Sequence, residues 1–369
     1  MDIIKHNGED NPLYVRNCWY VAAWDYELPD EGMISRTIIN EPILLYRTSR
    51  GNIIALADQC CHRLAPLSAG RREGDDIRCM YHGLKYNSSG KCIDIPGQDD
   101  VPDHFCVKAY PVVEKDSWLW VWMGNPELAD VNLVPNAVGL DNPKYQLKSG
   151  QKDFQANYLL MNDNVTDFSH LSYVHEKTFG GGSDHLARTR PKVEPIPRGI
   201  RISRWSTNVA HRSYFHDKTG GTEGDNWMSY DFLAPGILLM QTDYFPTGAA
   251  EASDFKPPSE ELEPIHSAFT SQAIIPMTDD TTRYFFSYGP RRSEHEINPR
   301  IVEDMFTLTL AAFAEDQAIV EAQQRSIKLK HDTAINSTIH DRGPTMIRKV
   351  IDKLIQEERN TLRQVVGQK

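Results

Sequence analysis

Two short cysteine–histidine pairs constrain this chain more than any other feature. They are Cys60-Cys61-His62 and Cys79-Met80-Tyr81-His82, with sixteen residues between His62 and Cys79. Each pair offers one thiolate and one imidazole from a short loop, so two loops can grip a two-iron cluster from opposite sides. In such a [2Fe–2S] centre Cys60 and Cys79 bind one iron and His62 and His82 the other. Neutral imidazole in place of thiolate raises the reduction potential above that of an all-cysteine cluster. A structural Cys2His2 zinc site has the same ligand count, but zinc motifs normally pair Cys with Cys and His with His. Gly83 permits a tight loop after His82, and Pro66 stiffens the loop after His62. Cys61 has the wrong offset for a ligand and reads as a bystander, while Cys18, Cys92 and Cys106 read as small buried hydrophobes.

A second constellation lies downstream, in Asn164-Val165-Thr166-Asp167-Phe168-Ser169-His170-Leu171-Ser172-Tyr173-Val174-His175. Asp167 and His170, three apart, would share a helix face. His175 is five residues past His170, so both imidazoles converge on one metal only if the helix ends or bulges between them. Two imidazoles and a carboxylate leave positions open on iron, which dioxygen chemistry requires. The carboxylate narrows to Glu315 or Asp316. Asp316 has Ala312, Phe313, Ile319 and Val320 on its helix face, and Glu315 has Ala311, Ala312, Ala318 and Ile319, so position does not choose between them.

The surrounding pattern is that of an α+β protein. Short β-branched or aromatic runs fill the first third: Arg36–Ile39, Ile43–Tyr46, Ile53–Leu56 and Trp118–Trp122, with a hairpin-like turn at Asn87-Ser88-Ser89-Gly90. They imply a small antiparallel sheet domain over residues 1–140, followed by a second domain over 141–369. In the latter, helical spacing runs from Ala156 to His175, strands are expected over Trp227–Phe245 and Thr282–Tyr288, and helices over Pro299–Leu329 and Pro344–Val365. Met346, Ile347, Val350, Ile351, Leu354 and Ile355 form one apolar stripe, and Gly180-Gly181-Gly182-Ser183 reads as a short loop.

With a formal net charge of -11 and no Lys/Arg block, the 369-residue chain lacks a nucleic-acid footprint. No run approaches the roughly 20 apolar residues of a membrane-spanning helix. Met1-Asp2-Ile3-Ile4-Lys5-His6 lacks the apolar core of a signal peptide, and a cytoplasmic location is expected.

Taken together these motifs resemble the oxygenase components of the Rieske non-haem iron family. Asn17-Cys18-Trp19-Tyr20-Val21-Ala22-Ala23 is similar to the family's opening strand, and Cys60-Cys61-His62-Arg63 and Cys79-Met80-Tyr81-His82-Gly83-Leu84 to its cluster loops. Asn164, Asp167, His170 and His175 match the iron-site helix, and Glu315-Asp316 with Glu321, Gln323 and Gln324 the helix that supplies the carboxylate, Asp316 by that pattern. Pro96-Gly97-Gln98, Val121 through Asp130, and Ile347 through Asp352 resemble the vanillate O-demethylase and dicamba monooxygenase type. Cys61 departs from the family, which usually has proline there.

The resemblance implies an N-terminal antiparallel Rieske [2Fe–2S] domain and a C-terminal helix-grip domain holding a mononuclear Fe(II) at His170, His175 and Asp316. It also implies a head-to-tail homotrimer in which Asp167 bridges the partner subunit's His82 to His170. Electrons would come from NAD(P)H through a separate reductase of flavin and ferredoxin type. The implied reaction hydroxylates a methyl or methylene carbon of a small aromatic substrate with O2, giving O- or N-dealkylation where that carbon carries oxygen or nitrogen. Ring cis-dihydroxylation or methyl hydroxylation is the alternative outcome of the same machinery. A Rieske electron carrier is a further alternative, but it leaves more than half the chain unexplained.

Overall fold

The structure is a computed structural model describing residues 14–179, 184–210, 223–329 and 336–366; Met1–His6 and Gly180–Ser183 lie outside the described residues. The chain divides into two compact units. One comprises Tyr14–Asn136 together with Ile275–Asp279, and the other takes in Ala137–Ile274 and the chain from Asp280 onward.

The first unit contains three antiparallel sheets. β1 (Trp19–Trp24), β10 (Val112–Lys115) and β11 (Trp118–Trp122) form the order β1-β11-β10. β1 and β11 are buried along their whole length, so they read as continuous aromatic runs rather than alternating ones. β2 (Met33–Ile38), β3 (Glu41–Arg47), β4 (Ile53–Ala57) and β9 (Ala109–Tyr110) form the second sheet. The third, of β5 (Arg71–Glu73), β6 (Asp76–Arg78), β7 (Lys85–Tyr86) and β8 (Cys92–Asp94), carries the cluster motif. The expected Asn87–Gly90 turn links β7 to β8: Gly90 N–H donates to the Asn87 carbonyl at 2.9 Å, with Gly90 at φ 81°. Cys106 differs from expectation. It is exposed, whereas Cys18 and Cys92 are buried, although its backbone is held by the bridge to Lys91 and by donation from its N–H to the His104 carbonyl at 3.0 Å.

The second unit is built on one antiparallel sheet of order β12-β18-β17-β16-β15-β14-β13. Its strands are β12 (Lys148–Phe154), β13 (Lys192–Ile196), β14 (Gly199–Ala210), β15 (Glu223–Leu233), β16 (Ile237–Phe245), β17 (His266–Thr278) and β18 (Thr281–Pro290). The long helix Ile301–Leu329 lies against β12 and β18 through a stripe at helical spacing, Met305, Thr309, Ala312, Phe313, Asp316, Val320 and Gln324. On the C-terminal helix Arg342–Val366, Ile347, Ile351 and Ile355 are the fully buried part of the expected stripe.

The helix expected over Ala156–His175 is shorter in the structure. It spans Tyr158–Thr166, is capped by Asn157, whose side chain accepts from Leu159 N–H at 2.9 Å, and ends where Asp167 turns extended (φ -132°, ψ 100°). A 3-10 helix, Phe168–Ser172, follows. Thr166 Oγ donates back to the Asn162 carbonyl at 2.6 Å, a contact that disfavours continuation of the helix. Asp167 and His170 therefore do not share one helix face.

The helix Tyr158–Thr166 is pinned to the C-terminal helix by a two-pronged ion pair: Arg348 donates to Asp163 at 2.9 and 2.5 Å. Arg348 is buried. Asp163→Ala would leave its guanidinium uncompensated, and a loss of roughly 3 kcal/mol in unfolding free energy is expected from denaturant titration. Replacing both residues by apolar ones should recover most of that loss.

Candidate metal centres

The two cysteine–histidine loops have matching backbones. Cys60 N–H donates to the Ala65 carbonyl and Leu64 N–H to the Cys60 carbonyl, both at 2.8 Å. Cys79 N–H donates to the Leu84 carbonyl at 2.8 Å and Gly83 N–H to the Cys79 carbonyl at 3.0 Å. Closing each loop needs a residue in the left-handed region, Leu64 at φ 56° in one and Gly83 at φ 78° in the other. At Gly83 a Cβ would also come within 2.7 Å of Pro96 Cγ.

Burial splits the four expected ligands by type. Cys60 and Cys79 are buried in one apolar cluster with Leu67, Ile77 and Leu84, while His62 and His82 are exposed, their ring centroids 4.5 Å apart. Burial pushes the Cys79 thiol above its ordinary value, with Cys60 beside it adding to the rise. Two adjacent buried thiols are disfavoured as thiolates unless a cation lies between them. Thiols inside and imidazoles outside is the donor set a His-ligated [2Fe–2S] cluster requires.

Sequence reasoning missed Tyr86. Its hydroxyl lies 3.1 Å from Cys60 Sγ and 3.2 Å from Cys61 Sγ, and it accepts from Cys61 N–H at 3.2 Å. Cys61 is thus tied to Cys60 through a shared hydroxyl rather than standing apart from the site. No spacing rule signals Tyr86, which reads in the sequence as one more aromatic strand residue.

The second site forms where the helix Tyr158–Thr166 has ended. His170, His175 and Asp316 bring their ligand atoms within 4.8 Å of one another. Asp316 Oδ1 lies 3.4 Å from His170 Nε2 and 3.2 Å from His175 Nε2, and accepts from Asn164 Nδ2 at 3.0 Å. Both imidazoles are oriented from behind. His170 Nδ1–H donates to the Asp167 carbonyl at 2.6 Å, and His175 Nδ1–H to Glu315 Oε2 at 2.8 Å. With both Nδ1 atoms donating, both Nε2 lone pairs point at the carboxylate; Asn164 Nδ2 reaches His170 Nε2 at 3.4 Å, and a proton or a metal cation between the imidazoles and Asp316 makes the arrangement favourable.

The titration pattern agrees. Burial opposes ionisation of Asp316, but hydrogen bonding to the two histidines outweighs it and holds the carboxyl well below the usual carboxylate range. Burial likewise opposes charge on His175, and Asp316 and Glu315 more than offset it. A divalent cation supplies the positive charge this set of donors calls for, and two imidazoles with one carboxylate suit iron.

The two acidic neighbours on the long helix take different parts. Asp316 is 5% exposed and faces the histidines; the Glu315 carboxylate accepts from His175 and from Thr178 Oγ at 2.6 Å. Ile319, counted as an apolar neighbour of both, is 50% exposed, which is why the apolar pattern failed to set the helix phase. Glu321 and Gln324 accept from Gln155 and Asn157 N–H at 3.0 and 2.8 Å and so fix the chain entering the helix Tyr158–Thr166. The Asp167 carboxylate faces Ser169, accepting from its N–H at 2.8 Å and its hydroxyl at 3.0 Å, so it caps the 3-10 helix while its carbonyl holds His170.

A cavity of about 80 Å³ opens onto the triad. Phe168, Leu171, Met228, Met240 and Phe313 supply its apolar wall. Its polar edge includes Gln272, which accepts from the Tyr284 hydroxyl at 2.6 Å and donates to Thr270 at 3.2 Å.

Residues 18–111 match the Rieske [2Fe-2S] domain and residues 154–357 the vanillate O-demethylase oxygenase C-terminal domain. The chain belongs to the Rieske non-haem iron oxygenases. It is 38% identical to the iron-sulfur subunit of the toluene-4-sulfonate monooxygenase system of Comamonas testosteroni, over 94% of this chain and 98% of the relative. It is 30% identical to a vanillate O-demethylase oxygenase subunit of Pseudomonas sp. strain HR199, over 94% and 96%. Dicamba monooxygenase bound to 3,6-dichlorosalicylic acid superimposes with a TM-score of 0.82 at 28% identity, covering 94% of this chain and 98% of that one. This Rieske oxygenase is an oxidoreductase that depends on a [2Fe–2S] cluster and non-haem iron, and the helix-grip expectation for its second unit holds. The electron-carrier alternative fails, since the oxygenase domain accounts for residues 154–357. Among the described residues no helix is long and apolar enough to cross a membrane.

Proposed function

We propose that this oxygenase component carries out oxidative O- or N-dealkylation of a small aryl compound. The observation that carries the reading is the apolar-walled cavity that opens directly onto His170, His175 and Asp316. In this reading Cys60, His62, Cys79 and His82 hold the cluster, and His170, His175 and Asp316 hold the mononuclear iron. The metal sites supply O2 reduction with two electrons from NAD(P)H by way of a separate reductase, one oxygen atom entering a substrate C–H bond and the other leaving as water. The protein's own residues do the rest. Phe168, Leu171, Met228, Met240 and Phe313 hold an aryl ring and exclude water, while Glu315, Thr178 and the Asp167 carbonyl keep both imidazoles aimed. A hydroxylated carbon bonded to oxygen or nitrogen then loses that heteroatom as a phenol or an amine, and an aldehyde departs.

The trimeric arrangement belongs to the same proposal. Leu64, Met80 and Tyr81 are exposed apolar residues on the loops that present His62 and His82, a rim suited to contact with another copy. Asp167, on the chain segment that carries His170, would then stand on the electron path from the partner subunit's His82.

One assay series tests both. Enzyme with a reductase, NADH and O2 is offered aryl methyl ethers, and the released formaldehyde is trapped. One formaldehyde per substrate consumed is expected; a cis-diol product would overturn the dealkylase reading. Asp167→Asn keeps the acceptor oxygen for Ser169 N–H, turns the other oxygen into a donor that the Ser169 hydroxyl can accept from by rotating, and removes the charge. It should retain both metals and a normally reducible cluster, yet reoxidise that cluster at least tenfold more slowly with substrate and O2 in rapid mixing. Reoxidation at the wild-type rate would take Asp167 off the electron path.

A further inference from the structure

The first unit buries one carboxylate that is not among the proposed cluster ligands. Asp58 is 3% exposed, and among the described residues of that unit no other acidic side chain is buried. It lies two residues before Cys60, at the exit of β4, where its backbone N–H donates to the Pro42 carbonyl at 2.8 Å. The carboxylate accepts three hydrogen bonds. Its Oδ1 takes Ser68 N–H at 2.7 Å, and its Oδ2 takes the hydroxyls of Ser68 and Ser35, each at 2.6 Å.

Ser68 stands in the 3-10 turn Leu67–Ala69, just past the closure of the Cys60 loop at Ala65. Its N–H is a first-turn donor for which Pro66, at the cap position, has no side-chain acceptor. Asp58 supplies that acceptor from the opposite stem, and so staples together the two stems of the loop that carries Cys60 and His62. Ser35 ties the staple to β2, and Leu67, next to Ser68, is buried in the same apolar cluster as Cys60 and Cys79. No cation of the described residues joins the arrangement. Glu27, Glu73 and Asp76 of the same unit pair with Arg36, Arg78 and Lys85, whereas Asp58 is held by neutral donors alone. A charge kept from water and left without a counter-charge is screened little and acts on its surroundings.

Reduction of the cluster adds one negative charge, which a fixed anion nearby opposes. We infer that Asp58 is a positioning residue for the cluster: it holds the His62 loop closed, and its charge lowers the reduction potential against the rise that imidazole ligation gives. The two contributions are separable, one being hydrogen-bond geometry and the other charge. This role rests on Cys60, His62, Cys79 and His82 as the cluster ligands, and Asp58 itself offers the cluster no ligand atom.

Redox titration and chelator challenge of the purified holoenzyme, both followed by visible absorption, test the two contributions. Asp58→Asn keeps the acceptor for Ser68 N–H, and its new N–H groups can donate to the two hydroxyls once these rotate, so the charge is what it loses. It should retain its cluster as the wild type does. Its one-electron equilibrium should move at least tenfold toward the reduced cluster, a rise of about 59 mV. Ser68→Ala keeps the charge and removes one prong of the staple. It should lose cluster absorbance to the chelator severalfold faster than wild type, with no rise in potential, and Asp58→Ala should lose it faster still. An Asp58→Asn potential at or below that of the wild type, or an equal rise in Ser68→Ala, would overturn the role of the charge. Cluster loss at the wild-type rate in both Ser68→Ala and Asp58→Ala would overturn the staple. A wild type lacking the low average g of a His-ligated reduced centre would sink the ligand assignment and this role together. A His-ligated wild type whose Asp58 variants leave potential and retention unmoved sinks only the role of Asp58.

Discussion

Asp316→Ala is expected to bring the iron beyond the cluster's own down to background while the visible spectrum of the [2Fe–2S] centre stays unchanged. Asp316 is the one carboxylate within reach of both Nε2 atoms, at 3.4 and 3.2 Å, and no other acidic group of the described residues joins that set. Substrate-dependent O2 consumption should vanish with the iron. Glu315→Gln is the informative companion. Glu315 contacts His175 from the Nδ1 side at 2.8 Å, so its loss should loosen rather than abolish binding, by about 10- to 100-fold in iron affinity. Metal analysis after dialysis against graded chelator separates the two variants. If Glu315→Gln empties the site and Asp316→Ala keeps it, the roles given to the two carboxylates are reversed.

That pair of residues also marks how far the sequence could be read. Periodicity along the long helix narrowed the acid to two neighbours and went no further, because three alanines and the exposed Ile319 blur which face is apolar. Phase was set by tertiary packing against β12 and β18, which no window of the sequence contains. The cysteine–histidine loops were far more legible, since their chemistry is local and each motif closes on itself within six residues. Tyr86 was illegible for the opposite reason. It matters through a residue distant in the chain, Cys60. The break after Thr166 was half visible: the five-residue gap from His170 to His175 demanded an end or a bulge, and the Asp167 geometry supplies the end.

The second large effect concerns the cluster potential. His62→Cys should lower the midpoint potential by on the order of 100 mV or more if the cluster still assembles, because a thiolate adds negative charge to the iron that takes the electron. The direction follows from where the proposed ligands sit. His62 and His82 are exposed, so the imidazole side faces outward, while Cys60 and Cys79 are enclosed with Leu67, Ile77 and Leu84. Exposure partly screens the added charge, which sets the expected drop nearer the lower end of that range. Tyr86→Phe probes the buried side. Removing a hydroxyl 3.1 Å from Cys60 Sγ withdraws a hydrogen bond that stabilises the more negative, reduced cluster, so the potential should again fall, by less than in His62→Cys. Redox titration followed by visible absorption and by the low average g of the reduced centre reads both variants on one scale. A colourless wild-type protein with stoichiometric zinc would sink the cluster assignment. A Tyr86→Phe potential equal to wild type would show instead that the hydroxyl serves Cys61, whose Sγ lies 3.2 Å from it.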